Sequence, residues 1–250
     1  MQKKIDYRES HTAQDKGKNY QNAFAEMNYR KYVWSLEKKI LNEIIKKYLE
    51  NKKQIRYLDF ACGTGRIISF LEENMFESIG VDVSQSMINI ALESVKKSKI
   101  IKVDITKKII FDEDYFDFIT TFRFFLNAQP ELREEAFYVI SKILKQDGYF
   151  VFNIHLNKTS IFFQLASLYR KIKGIDSEIN TIDIKEVTKI IEKTGLQIIS
   201  TYHYGLLPIY NEDTKIPIWL IDSFEKISSK IPFFKFFSTY LIFVCKHKNI

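Results

Sequence analysis

The sequence predicts an α/β fold of Rossmann-like type, a mostly parallel sheet covered by helices. Three observations point to it. Short runs of apolar, aromatic and β-branched residues alternate with longer segments of helical period, the order that a parallel sheet with crossover helices requires. The first run, Tyr57-Leu58-Asp59-Phe60, breaks into a turn holding Gly63 and Gly65 and then enters a helix. Nineteen residues after Gly63, the second run, Ser78-Ile79-Gly80-Val81, closes on an acid, Asp82. Glycines in the first strand-to-helix turn let a ligand approach the backbone, and an acid closing the second strand can hold a ribose diol.

The elements follow in chain order. Met1 to about Gly17 is polar, charged and without apolar periodicity, and reads as a mobile terminus. From Asn19 to Leu49 the pattern is helical, with Trp34, Leu36, Ile40, Leu41, Ile44, Ile45 and Tyr48 on one face. Helices from Gly65 to Glu73 and from Ser84 to about Lys97 follow the first two strands, with Ser84 as N-cap of the second. Ile100 to Val103 is a third strand ending at Asp104. Phe116 to Phe122 is a fourth, almost wholly apolar and so buried on both faces. Pro130 opens a helix to about Leu144, Asp147-Gly148 turns, and Tyr149 to Ile154 forms a fifth strand reaching His155. Ser160 to about Lys173 reads as an inserted amphipathic helix, and Asp183 to Lys193 as another, stopped by Gly195. Leu196 to Tyr204 and Phe236 to Lys246 supply two last strands, seven in all. An aromatic segment punctuated by Pro208, Pro217 and Pro232 lies between them.

Composition removes several classes. With 250 residues, 46% of them apolar, the chain can bury a core of its own and is not globally disordered. The net charge of +7 is carried mostly by lysines scattered through helices, which suits a solvated surface better than a nucleic-acid stripe. Cys62 falls in the glycine turn and Cys245 in an apolar strand, so no structural disulfide is expected. No Cys/His spacing suggests a metal. The amino terminus has no secretory apolar core, and no apolar window is long enough to span a bilayer. The expectation is a cytoplasmic protein without a transmembrane segment.

The third glycine of the dinucleotide fingerprint would fall at Ile68, so the pyrophosphate form of the motif is broken. The loop suits a nucleoside ligand lacking phosphates, and S-adenosylmethionine (SAM) is the candidate. Asp59-Phe60-Ala61-Cys62-Gly63-Thr64-Gly65 resembles the first motif of class I SAM-dependent methyltransferases, an acid and a small residue followed by Gly-x-Gly. Ala61 stands where that family often has glycine. Gly80-Val81-Asp82-Val83-Ser84 resembles the second motif and Val103-Asp104-Ile105 the third, in the family's order and spacing. The resemblance covers residues 55–155 well and the remainder in outline. It implies a seven-stranded sheet with an antiparallel last strand. It also implies an N-terminal helical extension or lid at 1–50, and a SAM-binding domain at 51–250 with a helical insertion at about 156–182.

The resemblance also implies roles. The loop from Ala61 through Cys62, Gly63, Thr64 and Gly65 would lie against the aminoacyl part of SAM. Asp59 would accept from its amino group or from loop amides. Asp82 would take both ribose hydroxyls, since a carboxylate offers two coplanar acceptors; the plainer reading is a helix N-cap. Asp104 would accept from the adenine amine, with Ile105 against the ring and Val83 and Met87 on the other face; for Asp104 the plainer reading is a surface turn. Arg123 and Asn127 follow the fourth strand, where open α/β sheets bind ligands. Arg123 could clamp a carboxylate or phosphate, or pair structurally with an acid. His155 could serve as general base for an acceptor hydroxyl, or merely hydrogen-bond within the fold. Tyr20 and Tyr29 could close over the site or simply pack.

The resemblance makes the expected function transfer of a methyl group to an O or N of a small-molecule acceptor, such as a sugar, a polysaccharide precursor or a natural product. An RNA methyltransferase drawn by positive charge is the alternative, and a non-catalytic interaction module a third reading. No Asn/Asp-Pro-Pro-Tyr or Pro-Cys pattern follows the fourth strand, and no catechol-type metal acids are present, which argues against those specialised chemistries. Phe233 to Phe237, with flanking lysines, could touch a membrane. Their run into the last strand instead favours a place in the core, so peripheral membrane contact is not expected.

Overall fold

The computed structural model describes residues 7–10, 28–174, 182, 184–206 and 217–248. Seven strands form one sheet: β1 (Arg56–Phe60), β2 (Glu77–Asp82), β3 (Lys99–Lys102), β4 (Phe116–Thr121), β5 (Leu144–His155), β6 (Leu196–Tyr204) and β7 (Tyr240–His247). Their order is β3-β2-β1-β4-β5-β7-β6. The first five run parallel, and β7 lies antiparallel between β5 and β6. The direction of crossing reverses between β1 and β4, the switch point at which such sheets open a crevice beyond their carboxyl ends.

Alternating side chains feed two cores, one on each face. Leu58, Ile119, Phe150, Phe152 and Phe243 pack with helices α4 (Pro130–Ile143) and α6 (Ile184–Lys193). Tyr57, Phe118, Val151, Ile242 and Val244 pack on the other face with α1 (Asn28–Tyr48), α2 (Arg66–Leu71) and Ile221 of α7 (Ile218–Ser228). Every residue of β4 is buried, as its continuous apolar run predicts. Helix α3 (Gln85–Ser94) follows β2, and α5 (Ile161–Ile172) follows β5.

Gly65 shows why the first turn needs its second glycine. Its φ is +78°, and a Cβ there would stand 3.1 Å from Ala91 Cα and Cβ on α3. The left-handed conformation and the close approach of α2 to α3 act together. Gly65→Ala is expected to cost about 1–3 kcal/mol in chemical denaturation, from αL strain plus overpacking.

Several boundaries differ from the sequence reading. The N-terminal segment read as mobile contributes a docked helical turn at Tyr7–Ser10. The expected helix start at Asn19 lies outside the described residues. The proline-punctuated segment holds α7, which proline spacing hid. Phe233 to Phe237 are not in the last strand: residues Pro232–Phe237 form a 3-10 turn, and β7 begins only at Tyr240. Pro232 supplies no amide to a ladder, and Phe233 and Phe236 are 61% and 64% exposed.

Candidate functional site

The loop after β1 is built from left-handed backbone, with φ of 55° at Ala61, 56° at Gly63 and 78° at Gly65. Cys62 N–H donates to Val81 O (3.0 Å), which ties the loop to β2. Asp82 braces it further: Oδ2 accepts from Gly63 N–H and Oδ1 from Ser84 N–H, both at 2.8 Å. Burial raises the Asp82 pKa, and the Ser84, Gly63 and Val83 amides oppose the shift. A carboxylate offers about four acceptor sites, so Asp82 keeps acceptor capacity beyond these amides. Nothing lies within 4 Å of a Cβ placed on Gly63, so the loop faces open space there. The hydroxyl of the expected N-cap Ser84 makes no capping bond.

Asp59 lies beneath this loop, 1% exposed. Its Oδ1 accepts from Thr120 Oγ1 (2.8 Å), itself 2.7 Å from Tyr57 OH. Its Oδ2 is buried without a hydrogen bond of ordinary geometry. Burial pushes the carboxyl up to about 7, outweighing the Thr120 hydroxyl, the Ile68 amide and the Arg66 charge. A buried carboxylate short of a donor is suited to a cationic or hydrogen-bonding ligand. Burial also raises the Cys62 thiol well above its ordinary range, so Cys62 is no thiolate nucleophile.

Two lobes meet at Tyr7, Ala61 and Asp82. The smaller, of about 470 Å³, is walled by Phe60, Val81, Val83, Val103, Ile105 and Phe124. The larger, open to solvent and about 1060 Å³, brings together Asp59, Cys62, Gly63, Thr64 and Met87 from the β1–α3 side. Phe122, Arg123, Asn127 and His155 come from the ends of β4 and β5, and Arg30 from α1. Asp104 borders the small lobe, but Oδ1 is held by Thr106 N–H (3.1 Å) and Oγ1 (2.6 Å), and Oδ2 pairs with Arg8 at 3.3 Å. The turn reading of Asp104 therefore describes its present partners.

His155 stands at the end of β5 on the wall of the large lobe. Burial, then the Arg123 and Arg30 charges, hold its pKa well below the usual imidazole value. Its Nδ1 has no hydrogen-bond partner among the described residues. Arg123 sits at φ 61°, its N–H donating to Asn153 Oδ1 (2.7 Å). Asn127 Nδ2 donates to Arg123 O (2.7 Å), so Asn127 closes the turn that presents the guanidinium.

Below this lobe lies a residue the sequence reading missed. Glu37 of α1 is completely buried. It accepts from Arg66 Nη1 (2.7 Å), Tyr204 OH (3.1 Å) and Asn153 Nδ2 (3.3 Å), and Arg123 Nη2 stands 4.0 Å away. Arg66 also stacks over Trp34, 4.3 Å from the ring centroid. The signal was present: an acid four residues from both Val33 and Leu41 interrupts the apolar stripe of α1. Tyr7 and Arg8 were also missed. Tyr7 packs edge-on against Phe124 (5.6 Å between centroids), and its N–H donates to Gln129 Oε1 (3.2 Å). Arg8 adds a contact to Glu135 at 3.6 Å. No periodicity marks a four-residue turn. Of the expected lid tyrosines, Tyr20 and the side chain of Tyr29 lie outside the described residues. No cluster among the described residues could hold a metal ion.

The comparisons agree with this fold. A family model described as a methyltransferase domain matches residues 29–201. YqeM of Bacillus subtilis (strain 168), whose name carries a provisional methyltransferase assignment, is 32% identical over 119 residues, 46% of this chain and 46% of that protein. The chain thus spans less than half the length of the curated relatives it matches. Magnesium protoporphyrin IX methyltransferase from Synechocystis PCC 6803, crystallised with S-adenosylhomocysteine (SAH), superposes with a TM-score of 0.66 at 10% identity, over 96% of this chain and 98% of its own. A SAM-dependent methyltransferase from Archaeoglobus fulgidus gives 0.57 at 21% identity, over 85% and 94%. At such identities these structures speak for the fold.

Proposed function

This chain belongs to the class I SAM-dependent methyltransferase family, and we propose that it transfers a methyl group to an oxygen or nitrogen of a small-molecule acceptor. A sugar, a polysaccharide precursor or a natural product would fit. The observation that carries this reading is the large lobe, a solvent-open cleft that joins the Asp59–Thr64 loop to His155 and Arg123 and is of a size suited to a small molecule.

The residues suit the donor. The unpartnered Asp59 Oδ2 would take its amino group, Asp82 its ribose hydroxyls, and the small apolar lobe its adenine ring. The N-terminal extension would act as lid through Tyr7 and Arg8 on the adenine side, and the insertion after β5 would border the acceptor. SAM supplies a sulfonium methyl group activated by its own leaving group. What remains for the protein is placement, since holding reactants about 3 Å apart can supply much of the acceleration. His155, kept neutral by burial and two neighbouring guanidiniums, would accept a hydrogen bond from the acceptor O–H or N–H and so aim its lone pair. Arg123, presented by the Asn127 and Asn153 contacts, would position an anionic or carbonyl group of the acceptor.

The test is transfer of label from methyl-labelled SAM into separated metabolite, polysaccharide, lipid and RNA fractions, beside SAH titration. Label in a small-molecule or saccharide fraction, lost with Asp82→Ala, is expected; label confined to RNA would refute the acceptor class. His155→Ala is expected to lower kcat about 10²-fold with SAH affinity unchanged. The His155-dependent part of the rate should stay flat from pH 8 to below 6.5, because its imidazole protonates only well under that value. An acid limb near pH 6.5 that vanishes in His155→Ala would contradict this placement.

A further inference from the structure

We propose that α5, α7 and the Pro232–Phe237 turn form a docking face for an anionic membrane surface. Among the described residues no helix is long and apolar enough to cross a bilayer, so the contact is peripheral. The proposal does not depend on which acceptor is methylated.

The first observation is an amphipathic helix whose apolar face stays largely exposed among the described residues. Leu165, Leu168 and Ile172 recur along one side of α5, yet they are 58%, 56% and 75% exposed, and no residue of the helix is buried. The second is continuity. Phe162 of α5 meets Phe237 at 5.0 Å between centroids, and Phe224 of α7 meets Phe234 at 5.7 Å. Ser160 Oγ donates to Phe237 O (2.9 Å) and Asn157 Nδ2 to Ser238 O (3.1 Å), so the patch is fastened to the fold. Trp219, Phe233 and Phe236 extend it outward at 69%, 61% and 64% exposure. Isolated exposed apolar residues are ordinary, but a joined set of this kind marks an interaction surface.

Charge decides the occupant. Around α5 stand Lys158, Arg170, Lys171 and Lys173, with no acid from 156 to 174. Residues 217–239 add Lys226, Lys230 and Lys235. Their two acids are already engaged: Glu225 is buried against the Gly205 and Leu206 amides, and Asp222 pairs with Lys39 and Lys226. A two-fold contact with a second copy would set these like charges against one another. A lipid surface bearing anionic headgroups accepts the apolar side chains and the basic rim together. The face sits where β5 and β6 end and β7 begins, at the same end of the sheet as the cleft.

The full chain should co-sediment with vesicles of phosphatidylcholine and phosphatidylglycerol, and much less with phosphatidylcholine alone. Lys171→Glu with Lys173→Glu should weaken binding to the mixed vesicles by roughly thirtyfold or more. Leu168→Glu with Ile172→Glu should abolish it, and since both side chains stand in water the thermal midpoint should not move. Three outcomes would overturn the proposal: protein left in the supernatant with both vesicles, equal binding to both, or a concentration-dependent dimer dissolved by the Leu168/Ile172 pair without vesicle binding.

Discussion

Replacing Glu37 by alanine is expected to cost about 3–5 kcal/mol of folding stability, read as a lower midpoint in urea at unchanged slope. The carboxylate is wholly buried and receives Arg66, Tyr204 and Asn153. Removing it leaves the Arg66 guanidinium, with 14% of its side chain exposed, without its closest anion, and strips two polar groups of an acceptor. Glu37→Gln keeps the shape and the Tyr204 bond but not the charge, so it should fall between alanine and the native chain. The effect reaches the site as well. Asn153 holds both Glu37 and the Arg123 amide, so loosening it should raise KM for the acceptor more than it weakens SAH binding. If the alanine variant unfolds at the native midpoint, the network contributes nothing and this account of α1 fails.

Asp59→Asn should separate stability from function. The folded pKa of Asp59, about 7, stands above the ordinary 3.8. The folded chain therefore holds this proton more tightly than the unfolded chain. Its stabilising contribution is complete below pH 3.8, declines as the pH rises, and is gone above about 7, where the ionised group is a buried charge. An uncharged isostere removes that cost. At pH 8 the ligand-free variant should be more stable by up to about 4 kcal/mol, an upper limit because the new amide needs a partner. At pH 4 the two proteins should melt together. Binding of SAH should fall at least about a hundredfold in the variant, as a charge-assisted bond is lost. In the native chain that affinity should rise between pH 6 and 8 as Asp59 ionises. Equal melting points at pH 8, or unchanged SAH affinity, would each count against the assignment.

The two predictions rest on acids of different visibility. Asp59 and Asp82 were legible because strand ends and glycines fix them locally: a short apolar run must stop, the turn must use positive φ, and the acid falls beside it. The same local logic gave the strands and helices up to His155, except that the expected Asp147-Gly148 turn lies within β5, which begins at Leu144. It also brought Gly63, Thr64, Asp82, Met87, Arg123, Asn127 and His155 to one end of the sheet, where they share one cleft. Local logic misled where several elements competed for the same apolar residues. Phe233 to Phe237 read as strand because aromatics favour strands. Pro232 and the pairing of β7 from Tyr240 placed them outside it.

What the sequence determined by itself is whatever depends on period and turn chemistry: a parallel sheet, its order of elements, and a loop shaped for a nucleoside rather than a pyrophosphate. Only the tertiary structure decided that Glu37 ties α1 to the site, that Tyr7 and Arg8 roof the small lobe, and that Asp104 faces Arg8. It also decided that His155 is neutral by burial, and that the apolar side of α5 is left in solvent. The division has a physical cause. Periodicity is set by neighbours three or four positions away, whereas burial and charge pairing are set by groups such as Glu37 and Tyr204, distant along the chain and joined only when the sheet closes.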